Sequence, residues 1–534
     1  MQRFNTIYDL IESGFTTYPN NKAFTCLGHT LTYKEVDHLS ACFAHYLQHT
    51  LKLQAGDKIA IQLPNILQYP IALYGAIRAG LVIVNVNPLY TPRELAHQLK
   101  DSGAKVLLVL ENIAHNAAKI LDKTAVEHVI VTKLGDMHPV IKRHCINAVI
   151  KYVKKMVPTY TINNVIPFTH TLNHNNATFT QPQAKSSDIF VLQYTGGTTG
   201  VAKGAMLTHN NLCSSVWQLF NHMPNAYTPG KETFAACLPL YHVYAFNLHL
   251  LNAFSFGEHN VLIPNPRDLK ALTKAFKQHP FTVFVGINTL FNALCHYAPF
   301  STVDFSGLKL TSSGGMALTS AVAKQWQALT GCEVVEGYGL TEASPIISAN
   351  TPHKNKMGSI GYALPETDIV LLDNNEQRVK HGEPGELCVK GPQVMTGYWQ
   401  NPTETSKAFT QSGHLKTGDI AVQEDNGFIR LVDRKKDMII VSGFNVYPNE
   451  IERVVQAHPS VTDCAAIGIA DDVTGEQVKL YVISNDPTFN AAALQRYCKD
   501  KLTAYKRPKQ IEFRDELPRS TIGKILKRAL KDGG

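Results

Sequence analysis

The chain has 534 residues, 44% of them hydrophobic and 18% charged, with a formal net charge of +8. That length exceeds one hydrophobic core, so at least two domains are expected, and the composition is that of a soluble globular protein rather than a disordered or fibrous one. The ten cysteines make no Cys-x-x-Cys pair and the N-terminus lacks a basic-then-apolar leader. Both features argue for a reduced, cytosolic compartment and against a disulfide framework or zinc site.

In chain order, Thr32-Tyr33-Lys34-Glu35 is a capping box, followed by an apolar helical face at Val36, Leu39, Phe43 and Leu47. Lys58-Ile59-Ala60-Ile61-Gln62-Leu63 predicts a strand ending at Pro64, and Leu81-Val82-Ile83-Val84 predicts another. A second capping box, Thr91-Pro92-Arg93-Glu94, has proline at the first helical position. Its helix stops near Gly103, before the strand Lys105-Val106-Leu107-Leu108-Val109-Leu110. Strands alternating with helices of this size predict a mostly parallel, helix-covered sheet.

Residues 137–187 contain no acidic side chain but six basic ones: Lys142, Arg143, Lys151, Lys154, Lys155 and Lys185. Ile141, Cys145, Val149, Tyr152 and Met156 recur there at helical spacing. Two readings stay open: an amphipathic helix lying on an anionic membrane, or a core-facing helix with a solvated basic face. No recognition module accompanies the patch, so nucleic-acid binding is not expected. Residues 158–187, rich in Asn, Thr and Pro, predict a connecting loop.

Ile189-Phe190-Val191-Leu192-Gln193 predicts a buried strand, and after it runs Tyr194-Thr195-Gly196-Gly197-Thr198-Thr199-Gly200-Val201-Ala202-Lys203-Gly204. Glycines let backbone amides turn inward, threonines add hydroxyl donors and the lysine adds charge, which together suit a polyphosphate. The order is not that of a Walker A loop, because no Gly-Lys-Ser/Thr follows. A Gly/Thr-rich surface hairpin is the plainer alternative.

Residues 233–257 carry no Asp, Glu, Lys or Arg, yet Pro239, His242, Asn247, His249 and Asn252 interrupt them. We read a buried strand–loop–helix passage lining a pocket rather than a membrane span. The strands predicted at 281–286 and 308–313 end in Gly286 and in Gly314-Gly315. Ligands sit at such carboxyl ends in open α/β sheets. After Glu333-Val334-Val335 comes Glu336-Gly337-Tyr338-Gly339-Leu340-Thr341-Glu342, in which Tyr338 offers a face for a purine and Glu342 a hard oxygen ligand. From about residue 369, short strands between Gly and Pro predict a small β-rich subdomain. The last hundred or so residues predict a separate α+β domain.

These motifs together resemble the adenylate-forming superfamily that includes acyl-CoA synthetases. The match runs in order from Thr32 to Arg528, and its most specific part spans 416–452, with Lys416-Thr417-Gly418-Asp419 and Val432-Asp433-Arg434-Lys435-Lys436-Asp437. One departure is Ala202, where many members carry proline. The resemblance implies an α/β protein with a large N-terminal domain, 1–433, of helix-covered mixed sheets plus the β-rich subdomain. Its subdomains are 1–187, 188–368 and 369–433. A small mobile C-terminal domain, 434–534, follows a hinge near Lys436.

The resemblance also implies site roles. Thr195, Gly196, Gly197, Thr198, Thr199, Gly200 and Lys203 would form the ATP phosphate loop. Gly314, Gly315, Glu336, Gly337, Tyr338, Gly339, Thr341, Asp419 and Arg434 would hold adenine and ribose. Glu342 and Thr195 would hold Mg2+. His242 and Phe246 would border the acyl pocket, and Gly443 a coenzyme A channel. Lys524, in Pro518-Arg519-Ser520-Thr521-Ile522-Gly523-Lys524, would be the catalytic lysine, acting with Glu342 and Lys203. The expected partners are a fatty acid, ATP and coenzyme A, with room for a homodimer and for peripheral contact with the inner face of the cell membrane. Rivals left open are a ligase feeding a carrier protein, a medium-chain or aryl acid–CoA ligase, a luciferase-like oxygenase and a non-catalytic fatty-acid-binding or transport protein.

Overall fold

Both capping boxes form. The Thr32 hydroxyl accepts the Glu35 amide, and the Glu35 carboxylate accepts the Thr32 amide at 2.7 Å. Thr91 and Glu94 repeat the exchange, and the helix Pro92–Ser102 ends on Gly103 at φ +64°. A left-handed terminus there favours glycine. The computed structural model describes residues 3–174, 177–195, 202–224, 226, 228–442, 444–519 and 525–531.

Strand Lys58–Gln62 lies between Val82–Asn85 and Val106–Leu110, parallel to both. Helices Gln68–Arg78 and Pro92–Ser102 make the crossovers. Val106–Leu110 is buried at all five positions, as a strand covered on both faces must be. This eight-stranded sheet continues through Ile189–Thr195 and the antiparallel Lys203–Thr208 to the two-residue edge strand Gly397–Tyr398.

A second, nine-stranded sheet sets Val283–Gly286, Leu310–Ser313 and Val334–Gly339 side by side in parallel, in the register Gly286–Ser313–Glu336. Beneath it Phe284 stacks on Trp326, with Phe291 and Phe300 packed around them. The chain then reverses, and Ile346–Ala349 runs antiparallel to Val334–Gly339. A β-carbon on Gly339 would lie 1.7 Å from the Pro345 carbonyl oxygen, so only glycine admits this close return.

Two compact units emerge: residues 1–367 with 391–407, and 368–390 with 408–534. The second unit holds the four-stranded antiparallel sheet Asp368–Leu372, Gly385–Lys390, Leu415–Gln423 and Ile429–Arg434. It also holds a five-stranded sheet built on the long hairpin Val461–Asp471 and Gly475–Ser484.

The basic stretch is helical, from Val140–Ala148 into the wider turns Val149–Val153, with no buried residue in either part. Ile141 is 81% exposed, Tyr152 70% and Val153 74%, so the core-facing reading is excluded. Polar tethers hold the element: Asn147 to Gly135 and Asp136, Lys142 to the Leu27 carbonyl, and Asn112 to the Met156 carbonyl. The charge-free passage is the strand Thr233–Ala236, a loop and a helix-like run over 243–255 that is buried almost throughout. Among the described residues no helix is long and apolar enough to cross a membrane.

Candidate active site

Thr195 and Lys203 face each other across the open end of a hairpin, because Ile189–Thr195 and Lys203–Thr208 pair with Thr195 opposite Lys203. Gly196, Gly197, Thr198, Thr199 and Gly200 lie outside the described residues. Gly204 sits opposite Tyr194, where a β-carbon would come within 3.1 Å of the phenol ring. The Tyr194 hydroxyl donates to Asp101 at 2.5 Å, fixing the strand end from below.

Lys203 Nζ is ion-paired with Glu404 and lies 5.1 Å above the Tyr398 ring. Lys203 and, through a second bond, Lys407 hold the Glu404 carboxyl down to about 2. The Tyr398 hydroxyl donates to Glu342 Oε1 at 2.8 Å. Glu342 occupies the turn Thr341–Ala343, which packs on the ends of both hairpin strands. Thr195, Lys203 and Glu342 thus share one neighbourhood, with Tyr398 between the cation and the carboxylate.

The strand feeding that turn, Val334–Gly339, carries Glu336, Gly337 and Tyr338. Glu336 accepts backbone amides from Gly358 at 3.1 Å and Leu318 at 3.2 Å, tying two loops to the strand end, while burial raises its pKa. Gly314 lies against Tyr244, and Gly315 adopts φ +79°. An apolar cavity of about 50 Å³ begins here, lined by Met223, Phe234, Tyr244, Leu248, Val283 and Ile346, and reaching Glu336 and Gly337. Phe246 lies away from it, fully buried against Phe190. The His242 Nδ1 accepts the Tyr244 amide at 3.4 Å, and desolvation pulls its pKa down to about 4, so it is neutral at pH 7.

In the second unit Asp419 stands opposite Arg434 on adjacent strands, and Arg434 Nε donates to Asp419 Oδ1 at 2.7 Å. The Thr417 hydroxyl donates to the Leu387 carbonyl and accepts the Asp419 amide, which fixes the turn through Gly418. Lys436 lies in the turn Lys435–Asp437. Gly443 and Lys524 fall outside the described residues, but the flanks of Lys524 are pinned. Arg519 bridges to Ile525, the Leu526 amide donates to the Pro518 carbonyl, and Lys527 Nζ meets Glu452 at 2.8 Å.

A profile of the AMP-binding enzymes matches residues 11–399, and one of their C-terminal domain matches 450–524. The chain belongs to the AMP-binding enzyme family. It is similar to the long-chain-fatty-acid–CoA ligase of Escherichia coli O6:H1, at 48% identity over 99% of this chain and 95% of the relative. The enzyme of the same name from Haemophilus influenzae is 45% identical over the same shares. Among solved structures, ATP-bound MatB from Rhodopseudomonas palustris superposes with a TM-score of 0.86 at 25% identity, covering 99% of both chains. The fold is therefore the adenylate-forming one, with its large mixed-sheet and small C-terminal parts.

In this AMP-binding enzyme, sequence reasoning did not find Tyr398 and Glu404. Both belong to Gly397-Tyr398-Trp399-Gln400-Asn401-Pro402-Thr403-Glu404, whose short strand and helix start carry only a weak local signal. A magnesium ion fits the donors present: Glu342 is a partly buried carboxylate with one oxygen taken by Tyr398, and the Thr195 hydroxyl is on a neighbouring strand end.

Proposed function

We propose that this protein is a long-chain fatty-acid–CoA ligase that works through an acyl-adenylate. The observation that carries the reading is the apolar cavity opening beside the strand that delivers Glu342 to the Thr195–Lys203 hairpin. The strand that lines this cavity at Glu336 and Gly337 also leads to Glu342, which supports reading the two as parts of one site. The names of the full-length relatives agree with it.

In the first step a carboxylate oxygen of the fatty acid attacks the α-phosphorus of ATP, and the bond to the pyrophosphate oxygen breaks. Lys203 and the loop amides hold phosphate oxygens. The resemblance assigns Lys524, outside the described residues, to offset charge where the two anions approach. Glu342 and Thr195 would hold the magnesium ion, which supplies further neutralisation of phosphate charge. In the second step the coenzyme A thiolate attacks the acyl carbonyl carbon and AMP departs. Asp419 and Arg434 take the ribose hydroxyls. The resemblance assigns Lys436 to a hinge used between the steps and Gly443, outside the described residues, to the thiol's channel.

Lys524→Ala tests the assignment. It should abolish fatty-acid-dependent ATP–pyrophosphate exchange and spare thioester formation from supplied acyl-adenylate. Survival of both half-reactions would overturn it. AMP formation with and without coenzyme A, measured over a panel of acyl lengths, separates this reading from a carrier-protein ligase.

A second reading concerns place. The outward apolar residues of 140–156 and their lysines favour peripheral docking on an anionic membrane, the cytosolic leaflet being the expected one. All ten cysteines are free thiols, which suits that side.

A further inference from the structure

We infer that Tyr398 is a positioning residue for adenylation: its hydroxyl fixes Glu342 for the metal-bound phosphates while its ring seats Lys203. The inference rests on the role of Glu342 proposed above. Three contacts carry it. The hydroxyl donates to Glu342 Oε1 at 2.8 Å, and the other carboxylate oxygen accepts no bond from the described residues. The Lys203 ammonium stands 5.1 Å over the ring centroid. The same segment also grips the Glu342 backbone, since the Met395 amide donates to the Glu342 carbonyl at 2.8 Å.

Tyr398 is itself held rigidly. Its amide donates to the Thr405 hydroxyl at 2.9 Å, and the edge strand Gly397–Tyr398 pairs with Met206 and Ala205. At Gly397, φ is +150° and a β-carbon would come within 2.7 Å of Thr405, so the approach requires glycine. A phenol donating to one carboxylate oxygen restrains the Glu342 side chain and leaves its other oxygen for a metal. Partners of this kind, one bond removed from a metal, change metal affinity or activity about 10- to 100-fold when lost.

The test is Tyr398→Phe, which is isosteric at a partly exposed position, in the full-length enzyme. Calorimetric titration of ATP should show about tenfold weaker binding with magnesium and unchanged binding without it. Fatty-acid-dependent ATP–pyrophosphate exchange should fall about 10- to 100-fold in kcat, with the KM for fatty acid unchanged. In a Glu342→Gln background the same change should add nothing. Equal loss of ATP affinity with and without magnesium, or additive effects of the two changes, would overturn the inference. If Glu342→Gln alone leaves magnesium dependence intact, the assignment of Glu342 fails first. If only Tyr398→Phe leaves it intact, the positioning role fails alone.

Discussion

Lys203 is ion-paired to Glu404, a residue 201 positions further along the chain, so without nucleotide the lysine already holds an anion. With Lys203 in its proposed phosphate-binding role, ATP has to displace that carboxylate or share the lysine with it. Glu404→Gln removes the competitor and keeps the shape. Both side chains are about one-third exposed, which limits the effect to a gain in ATP affinity of roughly two- to fivefold. Equilibrium binding of ATP at low and high salt measures it. Weaker binding in the variant would show instead that Glu404 belongs to the nucleotide site.

The 50 Å³ cavity is small beside ordinary ligand pockets, so in the proposed acyl site a long chain has to push side chains aside to enter. Val283 is on its wall and 1% exposed. Val283→Phe should fill the space and lower kcat/KM for the longest fatty acids about tenfold or more, while shorter acids keep theirs. An acyl-length panel reads the shift. A uniform loss at all lengths would place the chain elsewhere.

Local codes explain what the sequence made legible. Thr-x-x-Glu pairs and β-branched runs act over three to six residues, so the capping boxes at Thr32 and Thr91 and the strands at Lys58 and Val106 were readable. The apolar cavity was only half readable. Absence of charge marked 233–257, but helical phase chose the lining: Tyr244 and Leu248, four apart, face the cavity, whereas Phe246 turns to Phe190. Tyr398 meets Glu342 across 56 residues through a two-residue edge strand, and no period in the sequence encodes that contact. Lys151 and its neighbours were legible as a charged helix, but exposure alone decided which way its apolar face looks.

That face gives a direct test. Replacing Lys151, Lys154 and Lys155 with Gln should weaken binding to vesicles containing phosphatidylglycerol by about 100-fold at low salt, at roughly 1 kcal/mol per lysine. Ile141→Ser with Val153→Ser should weaken it further without changing its salt dependence. Cosedimentation of the full-length enzyme measures both. Unchanged vesicle binding would leave the stretch a solvated surface and nothing more.

Glu258 sets a pH dependence of stability away from the site. It is fully buried, and burial, then the charge of Glu232, push its carboxyl up to about 8, although it accepts amides from Gly230 at 3.2 Å and Glu232 at 2.6 Å. Burial acts on Glu232 in the same sense, but Lys309 at 2.8 Å and the Thr228 amide keep it below its usual value. Unfolded, Glu258 would titrate near 4.3. Between about pH 4.3 and 8 the folded chain therefore keeps a proton that the unfolded chain releases. The contribution is complete below that window and is lost as pH rises through 8, with a slope of at most about 1.4 kcal/mol per pH unit. Thermal midpoints from pH 5 to 9 should fall more steeply in the native enzyme than in Glu258→Gln, where the neutral side chain removes this proton. Parallel slopes would mean that Glu258 is ionised in the fold and that the amides of Gly230 and Glu232 outweigh its burial.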